Sequence, residues 1–233
     1  IGGSYIKFVL VKNPKILFSG HEERPATFPS LAKLITQKAK FLSGKVKDGK
    51  VGGVGFSLPG PLDSKREKVL NSANIRYLNG KAFRKIFSEK LKLPVKIEHD
   101  VHCFLLTSRT LSTAKKYKNV FYITLGTGLG GAFMVDGKII QGSHGSAGEV
   151  GNMILDMSKR LDFEDLSSNK FVRRTTGRGT LETVKLAETG DKKAKATLAE
   201  LGENLGIGLA NIINVFDPEV IVLSGGVSDA RKF

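Results

Sequence analysis

Apolar residues in this chain come in short runs that alternate with stretches of helical period. Ile6–Val11 and Ile16–Ser19 read as strands joined by a turn, Lys12–Lys15, that contains Pro14. Phe28–Ser43 places Leu31, Leu34, Ile35 and Leu42 at helical spacing, with Pro29 near its start, and predicts a helix. Val51–Leu58 predicts a strand closed by the rigid loop Pro59-Gly60-Pro61. Lys81–Lys90 reads as helix, in a region that Pro94 ends. Val95–Ile97 is then a strand that delivers Glu98-His99-Asp100, and Val101–Thr113 the helix that follows.

In the second half, the apolar runs Val120–Ile123 and Ala132–Val135 flank a glycine-rich stretch, Thr124–Gly131. Asp136-Gly137, between that second run and Lys138–Ile140, predicts a tight hairpin. Gly142–Gly151 is rich in small residues, with Glu149 near its end. Leu161–Val172 predicts one short helix, and Thr180–Ala187 and Lys192–Asn214 predict two more. In the last, Leu198, Leu201, Leu205, Leu209, Ile212 and Ile213 mark one face. Gly202, Gly206 and Gly208 interrupt it at about 1 kcal/mol each against alanine, which close helix packing would explain. Asp217-Pro218 stops the helix, Val220–Leu223 is a buried strand, and Ser224-Gly225-Gly226 turns from it.

This alternation predicts the α/β class. The opening segment (Gly2-Gly3, strand, turn at Asn13-Pro14, strand) matches the centre (Gly130-Gly131, strand, turn at Asp136-Gly137, strand). Two such hairpins predict two related halves closing on a nucleotide. The expected domains are a small one, residues 1–114, and a larger one, residues 115–233, with the boundary in the lysine-rich stretch Leu111–Lys118. Both ends read as cut, at Ile1-Gly2-Gly3 and at Arg231-Lys232-Phe233, so the chain is expected to be part of a longer domain.

Composition narrows the class. A hydrophobic content of 40% and a mean hydropathy of −0.09 support a buried core and exclude disorder. No apolar run approaches the ~20 residues a membrane span needs, and no signal peptide is visible, so a cytoplasmic protein without a membrane partner is expected. The single cysteine, Cys103, excludes an internal disulfide and a cysteine-based zinc cluster. A net charge of +15 admits nucleic acid, anionic lipid or a phosphorylated ligand. The lysines are scattered through Lys33–Lys47 and Lys81–Lys92, so they read mostly as solvated surface and not as a nucleic-acid footprint.

Gly126, Gly128 and Gly131 satisfy G-x-G-x-x-G, but a dinucleotide site needs a helix after that pattern and here a strand follows. A glycine turn between strands can still bind phosphate, because adjacent backbone N–H groups point into the concavity and no Cβ blocks approach. The alternative is a plain sharp turn, although Gly126, Gly128, Gly130 and Gly131 are more glycines than a turn requires.

Seven segments, in order, resemble the ROK family of bacterial sugar kinases and sugar-responsive repressors, within the actin-like ATPase superfamily. Ile1-Gly2-Gly3-Ser4 is similar to the family's D-x-G-G-T without its aspartate. Ser57–Asp63 is similar to its P-G-P loop, Asn71–Ile75 to the segment after it, and Glu98–His102 to E-N-D-A-N. Thr124–Gly131 is similar to its second phosphate loop, Ala147–Asn152 to A-G-E-I-G-H, and Asp217–Ser228 to D-P-E-x-I-x-x-G-G-x-x.

The resemblance implies an actin-like ATPase (ribonuclease H-like) fold, two α/β domains with a cleft between them. It also implies a glucokinase-like enzyme that phosphorylates a hydroxyl of a hexose or related sugar from ATP. The alternative it leaves is a sugar-binding transcriptional regulator, or a catalytically degenerate member. Asp100 falls on the family's catalytic base, which accepts the hydroxyl proton as the phosphoryl group arrives. It could also simply cap the helix after it. Glu149, His99, Asn152, Glu164, Gly60 and Asn74 fall on the sugar side. Glu149 could instead be a first-turn helix glutamate facing a dipole. Gly2, Gly3, Ser4, Lys7, Gly126, Thr127, Gly128 and Gly131 fall on the phosphates of ATP, and Gly225 and Gly226 on its adenosine. Mg²⁺ is implied with ATP, and a homo-oligomer, a dimer, as the assembly. Three departures stand out. His99 replaces the family's asparagine, Asn152 replaces a histidine, and the first-loop aspartate is not in the chain. The three zinc-binding cysteines are absent together with that histidine, which implies a zinc-free member. His102 and His144 are read as ordinary core or surface residues, not as substitute metal ligands.

Overall fold

The computed structural model describes residues 1–12, 15–46, 50–111 and 113–230. The chain divides into two compact units, Ile1–Cys103 with Ser143–Ser146, and Phe104–Gly142 with Ala147 onward. Strands and helices alternate in it, as their periodicity predicts.

In the first unit, β1 (Tyr5–Lys12) pairs antiparallel with β2 (Lys15–Glu23). The expected turn residues Asn13 and Pro14 lie outside the described residues. Next comes α1 (Phe28–Ser43), started by the Thr27 hydroxyl, which accepts from the Ser30 N–H, and by Pro29 in the first turn. β3 (Val54–Leu58) begins later than the predicted Val51, after Gly52-Gly53, where no side chain can pack. α2 (Phe83–Leu91) ends at Lys92, which takes the left-handed conformation at φ 52°. β4 (Val95–His99) lies parallel to β3 and runs directly into α3 (Asp100–Leu111). An aromatic cluster forms the core. Phe83 and Phe87, both buried, stack tilted with centroids 4.5 Å apart, and Phe56 lies 5.0 and 5.2 Å from them. Leu31, Ile35, Leu58, Ile75, Leu78 and Ile97 complete it.

The second unit holds β5 (Val120–Leu125), β6 (Leu129–Val135), β7 (Lys138–Ile139), β8 (Ile154–Asp156), β9 (Leu161–Asp162), α4 (Phe163–Ser167), α5 (Asn169–Thr176), α6 (Thr180–Glu188), α7 (Lys192–Phe216) and β10 (Val220–Ser224). Its main sheet runs in the order β10-β5-β6-β7, with β10 parallel to β5 and the other pairs antiparallel. The β6–β7 turn is as predicted: Asp136 at φ 49° and Gly137 at φ 76° supply the two positive φ values such a hairpin needs. Arg109 donates to the Gly137 carbonyl at 3.0 Å and holds the turn.

Two expectations are corrected. The stretch Leu161–Val172 is not one helix. Leu161-Asp162 form β9, the Asp162 carboxylate caps α4 through the Asp165 N–H at 2.7 Å, and Ser168 breaks the chain into extended backbone. The Ser168 hydroxyl then accepts from Lys170 N–H at 3.1 Å and starts α5, so local polar side chains override the helical period. Nor does close packing explain all the glycines of α7. A Cβ on Gly208 would overlap the Phe163 ring, whereas at Gly202 and Gly206 it would meet nothing. Ile213 is half exposed beside the buried Ile212. Gly202→Ala and Gly206→Ala are therefore each expected to stabilise the protein by about 0.5–1 kcal/mol in urea titrations, while Gly208→Ala destabilises it.

Candidate functional site

In the first unit the parallel register sets Leu58 opposite His99. The Pro59-Gly60-Pro61 loop and the His99-Asp100 pair therefore leave the same, carboxyl end of the strand pair, where α/β sites gather. Gly60, at φ +92°, presses against the Asn71 backbone, where a Cβ would overlap the carbonyl. This fastens the P-G-P loop to the loop that carries the exposed Asn74. Gly145 packs on the Leu62 carbonyl in the same way, and His144 beside it is exposed.

Asp100 opens α3 and accepts the Val101 N–H at 2.8 Å, so it does serve the helix start. Burial pushes its carboxyl above the usual range. His99 is buried, with Nε2 3.3 Å from Asp100 Oδ1 and its ring edge-on to His102 at 5.2 Å. Burial lowers it to about 4, so it is neutral at physiological pH.

Sequence reasoning overlooked the group behind them. Glu98 Oε1 accepts the His99 N–H at 2.8 Å, faces His102 Nδ1 at 2.9 Å and forms an ion pair with Arg66. Burial would raise Glu98, but the hydrogen bonds from His102 and His99 and the Arg66 charge hold it below its ordinary value. Arg66 adopts φ 52°, unusual for a side chain of its size. The four-residue spacing of Glu98 and His102 across the β4–α3 junction was the available signal; the partner Arg66 had none.

The first glycine stretch is exposed. Gly2 donates to the Tyr5 carbonyl at 2.9 Å, Arg24 donates to the Gly3 carbonyl at 2.6 Å, and the Ser4 carbonyl accepts the Arg24 N–H at 2.8 Å. Arg24 also lies over the Tyr77 ring and donates to its hydroxyl at 3.1 Å, anchoring this stretch. Lys7 projects from β1 into solvent, opposite His21.

In the second unit, the carboxyl ends of the parallel strands β5 and β10 carry the other glycines. The Gly126 N–H donates to the Gly128 carbonyl at 2.9 Å. Among the described residues nothing accepts from the N–H groups of Thr127 and Gly128 at the tip. Gly225, at φ +100°, lies so close to the Leu125 carbonyl that a Cβ would overlap it, while a Cβ on Gly226 or Gly126 would meet open space. Two glycine turns thus sit side by side at one sheet end, one of them with unpaired donors, a favourable setting for an anion.

The other glycines are explained by packing. Gly131 and Gly148 meet backbone to backbone, and Gly151 packs on the Leu129 carbonyl. These contacts lay the 147–152 loop along β6. They place the half-buried Glu149, at the start of the short 3-10 helix Val150–Asn152, and the exposed Asn152 beside the glycine turn. Glu164 lies under the turn itself, where its carboxylate Oε2 accepts the Leu129 N–H at 2.8 Å. Among the described residues no group of three or more His, Cys, Asp or Glu side chains is placed to hold a metal ion.

The chain was compared with known proteins. A profile described as the ROK family matches residues 1–233. The chain is 32% identical to an N-acetyl-D-glucosamine kinase of Photobacterium profundum, over 76% of the chain and 66% of that kinase. It is 24% identical to a xylose repressor of Caldicellulosiruptor bescii, over 76% of the chain and 50% of the repressor. Among solved structures, a ROK hexokinase from Thermus thermophilus superposes with a TM-score of 0.82 at 26% identity, covering 98% of this chain and 80% of that one. A ROK family glucokinase from Streptomyces griseus, in complex with glucose and AMPPNP, superposes with a TM-score of 0.82 at 25% identity, covering 99% and 82%.

Proposed function

The chain belongs to the ROK family and has the actin-like ATPase fold of its relatives, and on that premise we propose that it transfers a phosphoryl group from ATP to a sugar hydroxyl with Asp100 as the general base. One observation carries the reading. In each unit a set of candidate residues lies at the carboxyl end of a parallel strand pair, Gly60, His99 and Asp100 at β3 with β4, and Gly126, Thr127, Gly128, Gly225 and Gly226 at β5 with β10. The first pair presents a buried carboxylate, and the second presents two glycine turns, one of which has N–H groups, of Thr127 and Gly128, with no acceptor among the described residues.

The chemistry follows from these groups. The Val101 N–H and His99 Nε2 both face Asp100 Oδ1, which leaves Oδ2 to accept the proton of an incoming hydroxyl. Burial raises the proton affinity of Asp100 toward the operating pH, which suits a base. Gly60, Asn74, His99, Glu149, Asn152 and Glu164 are the sugar-side candidates. Gly2, Gly3, Ser4, Lys7, Gly126, Thr127, Gly128, Gly131, Gly225 and Gly226 are those for the nucleotide. Mg²⁺ enters as part of the nucleotide substrate, held chiefly by phosphate oxygens. No described helix is long and apolar enough to cross a membrane; ATP and a free sugar as the proposed substrate pair support a cytoplasmic reaction.

The test is ADP release by the purified protein over glucose, N-acetylglucosamine, N-acetylmannosamine and a β-glucoside. Release that depends on one of these sugars is expected. Release independent of every sugar would sink the reading. A second reading, a sugar-binding regulator or degenerate member without turnover, is favoured by His99, a buried neutral ring against the base where the family pattern it resembles has asparagine. Heat of sugar binding with no ADP release selects it.

A further inference from the structure

The Glu98 carboxylate gathers three donors on a single oxygen. Oε1 accepts the His99 N–H at 2.8 Å, faces His102 Nδ1 at 2.9 Å, and pairs with the Arg66 guanidinium. An ionised carboxylate only accepts, so His102 carries a proton on Nδ1. The donors come from three segments: the end of β4, the first turn of α3, and the turn that follows the Pro59-Gly60-Pro61 loop.

That last turn is fixed by its own hydrogen bonds. Asp63 Oδ1 accepts the N–H groups of Glu67 and Lys68 at 2.6 and 2.8 Å, and the Asp63 carbonyl accepts the Arg66 N–H at 2.8 Å. Leu62 bridges Val69 across it. On one side Gly60 fastens the P-G-P loop to the Asn71 backbone. On the other, the Arg66–Glu98 pair ties the turn to the strand end that carries His99 and Asp100. His99 in turn lies 3.3 Å from the Asp100 carboxylate.

The arrangement costs the fold stability in two places. Arg66 takes φ 52°, a left-handed conformation that a long side chain seldom adopts. His102 is buried, and among the described residues nothing donates to its Nε2. The ion pair itself returns little, because its Coulomb attraction is offset by desolvation. Local strain of this kind persists where it holds a site in shape.

We infer that Arg66 is a positioning residue: through Glu98 it fixes the P-G-P loop and the His99-Asp100 strand end at one spacing, and so sets the geometry in which a sugar hydroxyl meets Asp100. This rests on the kinase reading above and extends it to a residue that lies between the motifs of the resemblance.

The test is steady-state kinetics on the full chain, beside titration calorimetry with Mg–ADP. The sugar is whichever of glucose, N-acetylglucosamine, N-acetylmannosamine or the β-glucoside turns over. Arg66→Met is expected to lower kcat/KM for that sugar about 10- to 100-fold, the effect of a small misplacement of reacting groups. Arg66→Lys keeps the charge and recovers part of the loss. Glu98→Gln, of the same shape and still able to accept the His99 N–H, falls in the same range as Arg66→Met. The double variant is no worse than the poorer single one, because the two residues act as a unit. The KM for ATP and the affinity for Mg–ADP stay near wild type in all of them. Melting temperatures show that each variant is folded at the assay temperature. The inference is overturned if folded Arg66→Met and Glu98→Gln keep the wild-type kcat/KM, or if their losses simply add in the double variant. Losses that follow the melting temperature and fall equally on sugar and Mg–ADP also overturn it, and mark a structural pair alone. A wild-type protein that releases no sugar-dependent ADP overturns the kinase reading itself, and this inference with it.

Discussion

With Asp100 as the proposed base, Asp100→Asn is expected to lower turnover by about 10²–10⁴-fold and to leave sugar and nucleotide binding in place. The same change is expected to stabilise the protein at neutral pH. Burial raises the Asp100 pKa in the folded chain, so the stability contributed by the protonated acid is complete below the ordinary carboxylate range. It is lost as pH rises through the raised value. At pH 7 the wild type therefore buries a charge that asparagine does not carry, while the asparagine carbonyl can still accept the Val101 N–H. Melting curves of the two proteins should separate at pH 7, with the variant the more stable, and converge in acid. The acid limb of kcat/KM in the wild type is expected above the usual aspartate range, because a base must be ionised to act. Wild-type turnover in the variant would remove Asp100 from the chemistry. A variant that melts well below wild type would mark it as a structural cap alone.

The second large effect concerns stability. Phe163→Ala is expected to cost about 3–5 kcal/mol, read as a lowered midpoint in urea, because it empties a fully buried ring site. Phe163 opens α4, donates its N–H to the Met153 carbonyl at 2.8 Å, and packs the far end of its ring against the position where Gly208 of α7 has no side chain. The cavity would open directly behind Glu164 and the glycine turn. Gly208→Ala offers a check on this geometry. Alone it forces its methyl into the ring and destabilises, but in the Phe163→Ala background the methyl enters the vacated space and recovers part of the loss. Simple addition of the two effects would show that the helices do not meet in this way.

Much of this architecture was legible in the chain because it rests on local rules. Asp136-Gly137 has the two residues that a hairpin with two positive φ values demands, and Asp217-Pro218 cannot continue a helix. Asp100 could be placed at a strand end because the strand read at Val95–Ile97 delivers Glu98-His99-Asp100. Features set by distant partners were not legible. Arg66 reaches Glu98 from another loop, and nothing in the spacing of either residue announces the other. The glycines make the same point. Gly202, Gly206 and Gly208 look alike in sequence, yet only Gly208 answers to a neighbour, and that neighbour, Phe163, lies on a different helix. The split of Leu161–Val172 into β9, α4 and α5 was hidden because its apolar period is helical throughout, and Ser168 breaks it by a hydrogen bond that hydropathy does not register. Within the glycine turn, composition suggested one shared purpose, whereas Gly128 and Gly131 are demanded by Glu164 and Gly148 while Gly126 faces open space.

The meeting of Gly131 with Gly148 has a consequence for how two ligands would be felt. With no side chain between them to yield, β6 and the loop that carries Glu149 cannot slide independently. A ligand that orders the glycine turn is therefore expected to order Glu149 as well, so that disorder lost at one position need not be lost again at the other. Synergy between two guests would then require no visible movement of the protein at all.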